Sequence, residues 1–171
     1  MKTYIVLLRG INVSGKNKIP MQELRDLLEG IGYENVRTYI QSGNIILNSE
    51  EDKTIISKKI SEAIQKHFGY EVPALTYSLE DWKHIIQDNP YSEGEKAIYF
   101  TFMDQEPENT AIEVNGTKDD EFTIYKNMVY LNCLGGYGKS KLSNNLFENK
   151  LKVIATTRNF RTVHKLLELA R

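Results

Sequence analysis

The spacing of apolar positions divides the chain into two halves that repeat one order of elements. Residues 3–78 give strand, helix, strand, strand, helix, strand, and residues 97–157 give a similar order. The run Thr3–Leu8 is apolar after its first residue, which predicts a strand buried on both faces. The repeated order predicts an α+β fold of duplicated ferredoxin-like βαββαβ units, each followed by one further helix, with mixed or antiparallel sheets.

The predicted domains are residues 1–90 and 95–171. Between them, Asn89–Gly94 contains Pro, Ser and Gly and is the clearest linker of the chain. A cleft between twin domains is a favoured place for a ligand, so we expect a binding site there.

Turn and cap residues set the predicted boundaries in the first half. The strands Val36–Gln41 and Asn44–Asn48 are separated by Ser42 and Gly43, which predicts a two-residue hairpin turn. Two helix starts are predicted at capping boxes, Ser49 with Asp52 and Ser78 with Asp81.

The helices and strands of the second half are predicted from less regular sequence patterns. Helices are expected around Glu108–Val114 and from about Ser140 to Lys150, with Ser140 as a possible N-cap. A short strand, Val153–Thr156, follows, and Asn159 is expected to cap the final helix. Strand alternation is expected to place three tyrosines on one face of the second sheet, Tyr99, Tyr125 and Tyr130. Such a face suits stacking of RNA bases, packing between sheets or a subunit contact.

Composition indicates a globular protein without a membrane partner. The 171 residues are 40% hydrophobic and 26% charged, enough to bury a core. No apolar run approaches the roughly 20 residues of a membrane span. The single cysteine, Cys133, excludes an internal disulfide, so we expect a cytoplasmic protein with a buried, inert thiol.

The net charge of −1 conceals an uneven distribution of charge. Residues 104–121 hold seven acids and only Lys118 as a base, whereas residues 139–171 hold eight bases against Glu148 and Glu168. Two interpretations are open: the basic region binds an anionic partner, or its cations are solvated and balance the acidic segment.

Two candidate motifs lie in the first half. Arg9–Pro20 has the glycine and lysine spacing of a phosphate loop, but Asn17 stands where Ser or Thr must hold Mg²⁺, so a nucleotide triphosphatase is not predicted. Its cations favour anion binding, although the glycines also suit a plain turn. Tyr39–Asn44 is either a hairpin tip or a source of neutral donors and acceptors.

Two further motifs lie in the second half. Gly135–Leu142 is a glycine-rich entry to a helix, and it also departs from a phosphate loop because Cys133 replaces a glycine. Ala155–Thr162 carries Arg158 and Arg161, whose planar guanidinium groups suit phosphate or carboxylate. The three histidines lie on separate predicted helices, so neither a metal site nor a cofactor is expected.

The stretches LLRGINVSGKNKIPM, YIQSGN, GKSKL and ATTRNF, in this order, resemble the bacterial domain-of-unknown-function family 1697. The resemblance implies a small cytoplasmic α+β protein with duplicated ferredoxin-like repeats, and it implies no established activity. The family usually has Gly at Ser14, Arg at Lys139 and Trp at Phe160. Lys139 lacks the bidentate contact that an arginine makes.

The leading hypothesis is therefore a protein that binds an anionic ligand, either a nucleotide or a nucleic acid, between the two repeats. The candidate ligand-binding residues share charge or hydrogen-bonding capacity within the four motifs: Arg9, Asn12, Lys16, Lys18, Gln41, Ser42, Asn44, Lys139, Ser140, Lys141, Arg158, Asn159 and Arg161. Alternatives are an enzyme acting on a phosphorylated or carboxylated small molecule, with Ser42 or Ser140 taking part, and an oligomerising scaffold protein.

The antiparallel order predicts where the motifs meet. RGIN, which ends the first strand, should meet QSGN, which precedes the third strand. By the same argument Met103 should lie near Met128, and GKSKL should lie at the other end of its sheet. We expect Arg9, Asn44 and at least one of Lys139, Lys141 and Arg158 to border one cleft.

Overall fold

The computed structural model describes residues 1–92 and 94–171. Glu93, within the predicted linker, lies outside the described residues. The chain forms two compact units: unit 1 comprises Met1–His84 and Leu166–Arg171, and unit 2 comprises Ile85–Lys165. The domain boundaries expected from the sequence stay a prediction.

Eight strands and five α-helices are present within the described residues. The strands are β1 Lys2–Leu8, β2 Glu34–Tyr39, β3 Asn44–Ser49, β4 Ala74–Ser78, β5 Ile98–Met103, β6 Glu121–Tyr125, β7 Met128–Asn132 and β8 Ala155–Asn159. The helices are α1 Met21–Gly30, α2 Lys53–Phe68, α3 Leu79–Gln87, α4 Asn144–Leu151 and α5 Phe160–Ala170. The predicted α+β class is confirmed.

Unit 1 contains an antiparallel sheet in the order β2-β3-β1-β4. The central position of β1 explains its continuous apolar run, because both of its faces are buried. Helices α1 and α2 cover one face with side chains at helical spacing, among them Leu24, Leu28, Ile56, Ile60 and Ile64.

Unit 2 contains a second antiparallel sheet in the order β6-β7-β5-β8. On one face its core joins Met103, Val129 and Leu131 to Phe147 and Leu151 of α4. No helix within the described residues is both long enough and apolar enough to cross a membrane.

The helix predicted around Glu108–Val114 is wrong, since residues 104–120 contain no helix. Ile112 and Val114 stand two positions apart and cannot form a helical stripe. The Asn109 Oδ1 accepts a hydrogen bond from the Ala111 backbone N–H at 2.9 Å, a local contact that competes with helical hydrogen bonding.

The predicted caps have mixed outcomes. The capping box at Ser78 and Asp81 is confirmed by its two reciprocal bonds, 3.2 and 3.0 Å, and Asn159 Oδ1 accepts from the Thr162 N–H at 2.8 Å. The box at Ser49 is wrong, because its Oγ accepts from the nearer Glu51 N–H at 3.0 Å.

The start of α4 also differs from the expectation. Ser143, not Ser140, caps this helix, with its Oγ accepting from the Leu146 N–H at 3.3 Å. Ser140 instead closes a local turn by accepting from the Leu142 N–H at 3.1 Å, and a 3-10 turn, Tyr137–Lys139, precedes it. The glycines around this turn delay the helix.

The predicted common face of three tyrosines is wrong. Tyr130 is paired with Phe100 across the strands, and their rings meet edge to face at 5.7 Å. Tyr99 is paired with Leu131 and therefore lies on the opposite face, where it stacks on Tyr137 at 5.2 Å. The apolar residues Phe100 and Leu131 lie on opposite faces of the sheet, so apolar character alone does not identify which face a neighbouring tyrosine occupies.

Candidate functional site

The RGIN motif opens a small hairpin after β1. Val13 pairs with Lys16 around Ser14 and Gly15, whose φ values are 51° and 74°. Positive φ at both central residues is characteristic of a type I′ turn, so a glycine would fit at Ser14 without strain.

The side chain of Asn12 fixes this hairpin to the rest of unit 1. Its Oδ1 accepts from the Ile19 N–H at 2.8 Å, and its Nδ2 donates to the Ile19 carbonyl at 3.0 Å and to the Gln41 carbonyl at 2.8 Å. These bonds use both amide hydrogens and the oxygen, so Asn12 has a structural role.

The QSGN motif meets RGIN as predicted. Asn44 is paired with Leu7, and the Leu8 N–H donates to the Gly43 carbonyl at 2.8 Å. The predicted two-residue turn is wrong, since the connection covers the four residues between Tyr39 and Asn44. Asn44 is fully buried and its Nδ2 donates to the Tyr39 carbonyl at 2.9 Å, which stabilises the wider turn.

The candidate residues of unit 1 thus fall into two groups. Asn12, Ser42 and Asn44 are involved in contacts within the loops, where Ser42 Oγ accepts from Asn44 Nδ2 at 2.8 Å. Arg9 is partly buried at the end of β1, and the exposed candidates are Lys16, Lys18 and Gln41.

Sequence reasoning missed two exposed apolar residues in these loops. Val13 is 58% exposed and Ile40 is 49% exposed. Ile40 also has φ 51°, an unusual conformation for a β-branched residue. The pattern gave no signal at Ile40, because a strand continuing to Gln41 would have given this residue ordinary strand geometry.

In unit 2, the strand ends meet as predicted. The Met103 N–H donates to the Asn127 carbonyl at 3.0 Å, next to Met128. At the other end of the sheet, the Cys133 N–H donates to the Ala97 carbonyl at 2.7 Å, and the GKSKL motif follows there. Burial raises the pKa of the Cys133 thiol, which agrees with an inert side chain.

The GKSKL cations differ in their surroundings. Lys139 and Lys141 are both exposed. The amine of Lys141 lies against Gly116 of the acidic segment, so close that a methyl group on Gly116 would contact it.

A polar network joins the GKSKL segment to the ATTRNF motif. Thr157 Oγ1 donates to Asn144 Oδ1, lies 2.8 Å from Thr101 Oγ1 and accepts from the Tyr137 hydroxyl at 3.4 Å. The Tyr137 oxygen in turn accepts from the Asn144 N–H at 3.0 Å. The network holds α4 against β8 and was not predicted, because its members come from four separate segments.

Arg158 lies inside β8 rather than after the predicted strand Val153–Thr156, which was placed too early. It is only 7% exposed, its guanidinium donates to Thr156 Oγ1 at 2.6 Å, and burial lowers its pKa to about 10. Alternation puts Arg158 and Thr156 on one face of the sheet. Arg161 and Asn159 are exposed at the start of α5.

The structure therefore joins the motifs in two pairs, RGIN with QSGN in unit 1 and GKSKL with ATTRNF in unit 2. The predicted single cleft includes residues of both units and stays a prediction, as does ligand binding by the thirteen candidate residues. Among the described residues, no group of three or more His, Cys, Asp and Glu side chains is arranged to hold a metal ion.

These features describe an α+β protein with two four-stranded antiparallel sheets and a polar loop pair in each unit. The chain belongs to the family described as protein of unknown function (DUF1697), whose model matches residues 1–130. A solved structure, that of the conserved bacterial protein SP0830 from Streptococcus pneumoniae, is similar at 27% identity with a TM-score of 0.73 and covers 99% of both chains. No curated protein matches the chain.

Proposed function

We propose that this protein binds an anionic ligand, a nucleotide or nucleic acid, and that the cations of the RGIN loop contribute to the binding. The observation that carries the proposal is that Lys16 and Lys18 are exposed and form no ion pair with the described residues. Both are exposed, and within residues 1–92 and 94–171 neither has a carboxylate partner.

Some other lysines of unit 1 are paired with acids. Lys53 contacts Asp81 at 3.0 Å and Lys59 contacts Glu51 at 2.8 Å. Lys16 instead extends from a hairpin whose backbone is held by Asn12 on two sides. Among the residues that the structure describes, its ammonium group has no ion pair that an anionic ligand would have to break.

Lys139 and Arg161 support the same proposal in unit 2. Neither has a carboxylate partner in the described part of the chain. Both lie close in sequence to residues of the network around Thr157. The single cleft predicted from the sequence would bring them to the same ligand as Arg9. The enzyme alternative stays a prediction; the Oγ atoms of Ser42 and Ser140 each accept a hydrogen bond from their own loop.

Binding is tested by titrating nucleotides and a single-stranded oligonucleotide at several salt concentrations. The double variant Lys16→Ala/Lys18→Ala should weaken oligonucleotide binding and reduce the slope of log affinity against log salt by about 1.4, the value for two phosphate contacts. The matched control is Lys58→Ala/Lys66→Ala, which removes two exposed lysines from α2. Negligible binding of every anion at low salt, or equal loss in both double variants, would contradict the proposal.

The finer fold assignment is also part of the proposal. We propose duplicated ferredoxin-like units, supported by the same strand order in both sheets. A second support is one shared helix-to-strand contact: Thr76 bonds Ser57 of α2 at 2.7 Å, as Thr157 bonds Asn144 of α4. A cytoplasmic location is proposed from the free, buried thiol of Cys133.

A further inference from the structure

Two of the exposed apolar side chains of unit 1, those of Val13 and Ile40, lie in the loops that carry the proposed anion site. Val13 directly follows Asn12 and Ile40 directly precedes Gln41, and the Asn12 Nδ2 donates to the Gln41 carbonyl at 2.8 Å. Both apolar residues are therefore next to the hydrogen bond that joins RGIN to QSGN. They differ from the core residues around them, because about half of each side chain faces solvent.

Ile40 is unfavourable to folding in two respects. Its φ of 51° places a β-branched residue in the left-handed region, which costs an L-residue free energy that Gly or Asn largely avoids. In addition, its side chain is 49% exposed, so burial compensates little for the strain. Backbone strain of this kind is concentrated at ligand-binding sites.

Val13 and Lys16 bring an apolar surface and a cation together. They are directly paired across the hairpin, and the Lys16 N–H donates to the Val13 carbonyl at 2.9 Å. Directly paired residues of antiparallel strands have their side chains on the same face. A ligand on this face contacts an aliphatic surface and an ammonium group at once.

Gln41 adds a neutral polar group beside Ile40. Its side chain is exposed, and its amide makes no hydrogen bond to the described residues. An amide offers both a donor and an acceptor, which matches the polar edge of a nucleobase.

We infer that the ligand of the RGIN loop is a nucleoside phosphate, with its base against Ile40 and Val13 and its phosphates on Lys16 and Lys18. This inference rests on the proposed anion binding and names the class of ligand. An inorganic anion uses only the cations, whereas a nucleoside phosphate also covers the exposed apolar side chains. The site accounts for the strained, exposed isoleucine, which the fold alone does not require.

The test compares inorganic tripolyphosphate with ATP, GTP, CTP and UTP by calorimetric titration at one low salt concentration. At least one nucleoside triphosphate should bind about tenfold more tightly than tripolyphosphate, a difference that one buried base readily supplies. Ile40→Asn should abolish this preference and leave the affinity for tripolyphosphate unchanged, because Asn tolerates the same backbone conformation.

Two further variants separate the possible causes of a change in affinity. Lys16→Ala/Lys18→Ala should weaken both classes of ligand. Lys126→Asn, at a unit 2 turn residue that also has positive φ, should leave every affinity unchanged. The Ile40→Asn variant should also unfold at a higher temperature than the parent, so reduced binding would not result from misfolding.

Each outcome supports or overturns a definite statement. Equal affinities for tripolyphosphate and all four nucleotides, with no effect of Ile40→Asn, would overturn the nucleoside inference and leave anion binding intact. Absence of binding by any probe would overturn both. An oligothymidylate that binds more than about tenfold more tightly than the best nucleotide at the same salt would replace the nucleoside phosphate with a nucleic acid.

Discussion

Unit 1 and unit 2 arrange their strands in the same order, yet they connect the first two strands of each sheet differently. In unit 1 the connection contains α1, which buries Met21, Leu24 and Leu28 against the sheet. In unit 2 the corresponding residues 104–120 form an irregular acidic segment, from which Ile112 and Val114 pack against the core. The sheet order therefore does not depend on a helix in this connection, provided that a few apolar side chains cover the exposed edge of the core.

The second helical connection differs less between the units. In both, a threonine of the last strand bonds the N-terminal half of the preceding helix: Thr76 with Ser57 and Thr157 with Asn144. Unit 2 extends this contact into a network through Thr101 and Tyr137. The shorter helix α4 buries fewer apolar residues than α2, and the network supplies additional contacts that hold it in place.

The largest expected difference between the units concerns their glycines. In Gly43→Ala, the new Cβ would lie 2.7 Å from Leu8 Cβ and 2.9 Å from Ile11 Cδ1. Leu8 Cβ is one bond from the backbone of β1 and cannot move alone, so we expect a loss of about 3 kcal/mol in the free energy of unfolding, measured by urea denaturation.

Two glycines with positive φ serve as controls for this substitution. Gly15→Ala meets nothing within 4 Å, and Gly116→Ala in unit 2 meets only the mobile end of Lys141. Each should cost about 1 kcal/mol, the contribution of the backbone conformation. Equal losses in all three variants would contradict the close packing at Gly43.

The next prediction compares the two threonines. Thr157→Val should cost about 2 kcal/mol, because Thr101, which is fully buried, and Asn144 would lose their hydrogen-bond partner. Thr76→Val should cost about 1 kcal/mol, because only the contact to Ser57 is lost. Urea denaturation measures both, and a larger loss at Thr76 would show that the network adds nothing to unit 2.

The sequence predicted features that depend on spacing or antiparallel order better than features that depend on cross-strand register. The buried strand Thr3–Leu8, the caps at Ser78 and Asn159 and the meeting of RGIN with QSGN depend on spacing or on antiparallel order, which the chain displays directly. The face of Tyr130 depends on cross-strand register, which a short alternating strand leaves undetermined. The segment Glu108–Val114 was predicted as a helix, although its apolar residues lack helical spacing.

Prediction of the candidate site from the sequence was limited in a similar way. Charged residues in Gly-containing loops were recognised, but the sequence did not show which of them the fold uses. Asn12 bonds the backbone of Gln41, far along the chain, Asn44 bonds the nearby backbone of Tyr39, and Arg158 is buried in β8. The exposed Ile40 could not be found, since its position depends on where β2 ends.

A smaller effect is expected at the equivalent turns of the two sheets. Ile40→Asn should stabilise the protein by about 1 kcal/mol, because Asn adopts positive φ with less strain than a β-branched residue. Lys126→Asn relieves a similar φ of 54° but removes the ammonium group that lies 5.0 Å from the Tyr125 ring centroid. Its net effect should be near zero, and thermal unfolding of both variants measures the difference. A destabilised Ile40→Asn would mean that the isoleucine side chain supports the fold.

The smallest expected effect concerns the acid stability of unit 1. A hydrogen bond from Lys59, at 2.8 Å, is the main cause that lowers the pKa of Glu51, and the Tyr33 hydroxyl donates to the other oxygen at 3.1 Å. A carboxyl group whose pKa is lower in the folded state stabilises the fold above its unfolded value of 4.5, and this contribution is lost as the pH falls through the folded pKa. Both charged side chains are about one third exposed, so the contribution is at most about 1 kcal/mol.

Glu51→Gln should therefore reduce stability at neutral pH and flatten the decline below pH 4.5, measured by urea denaturation across this range and by hydrogen exchange of the α2 amides. The control is Glu62→Gln, which removes a more exposed carboxylate 4.0 Å from Lys58 on the same helix. Because that pair is solvated, its loss should leave the pH profile almost unchanged. An equal flattening in the two variants would assign the acid sensitivity to the overall charge of this region and not to the contact between Glu51 and Lys59.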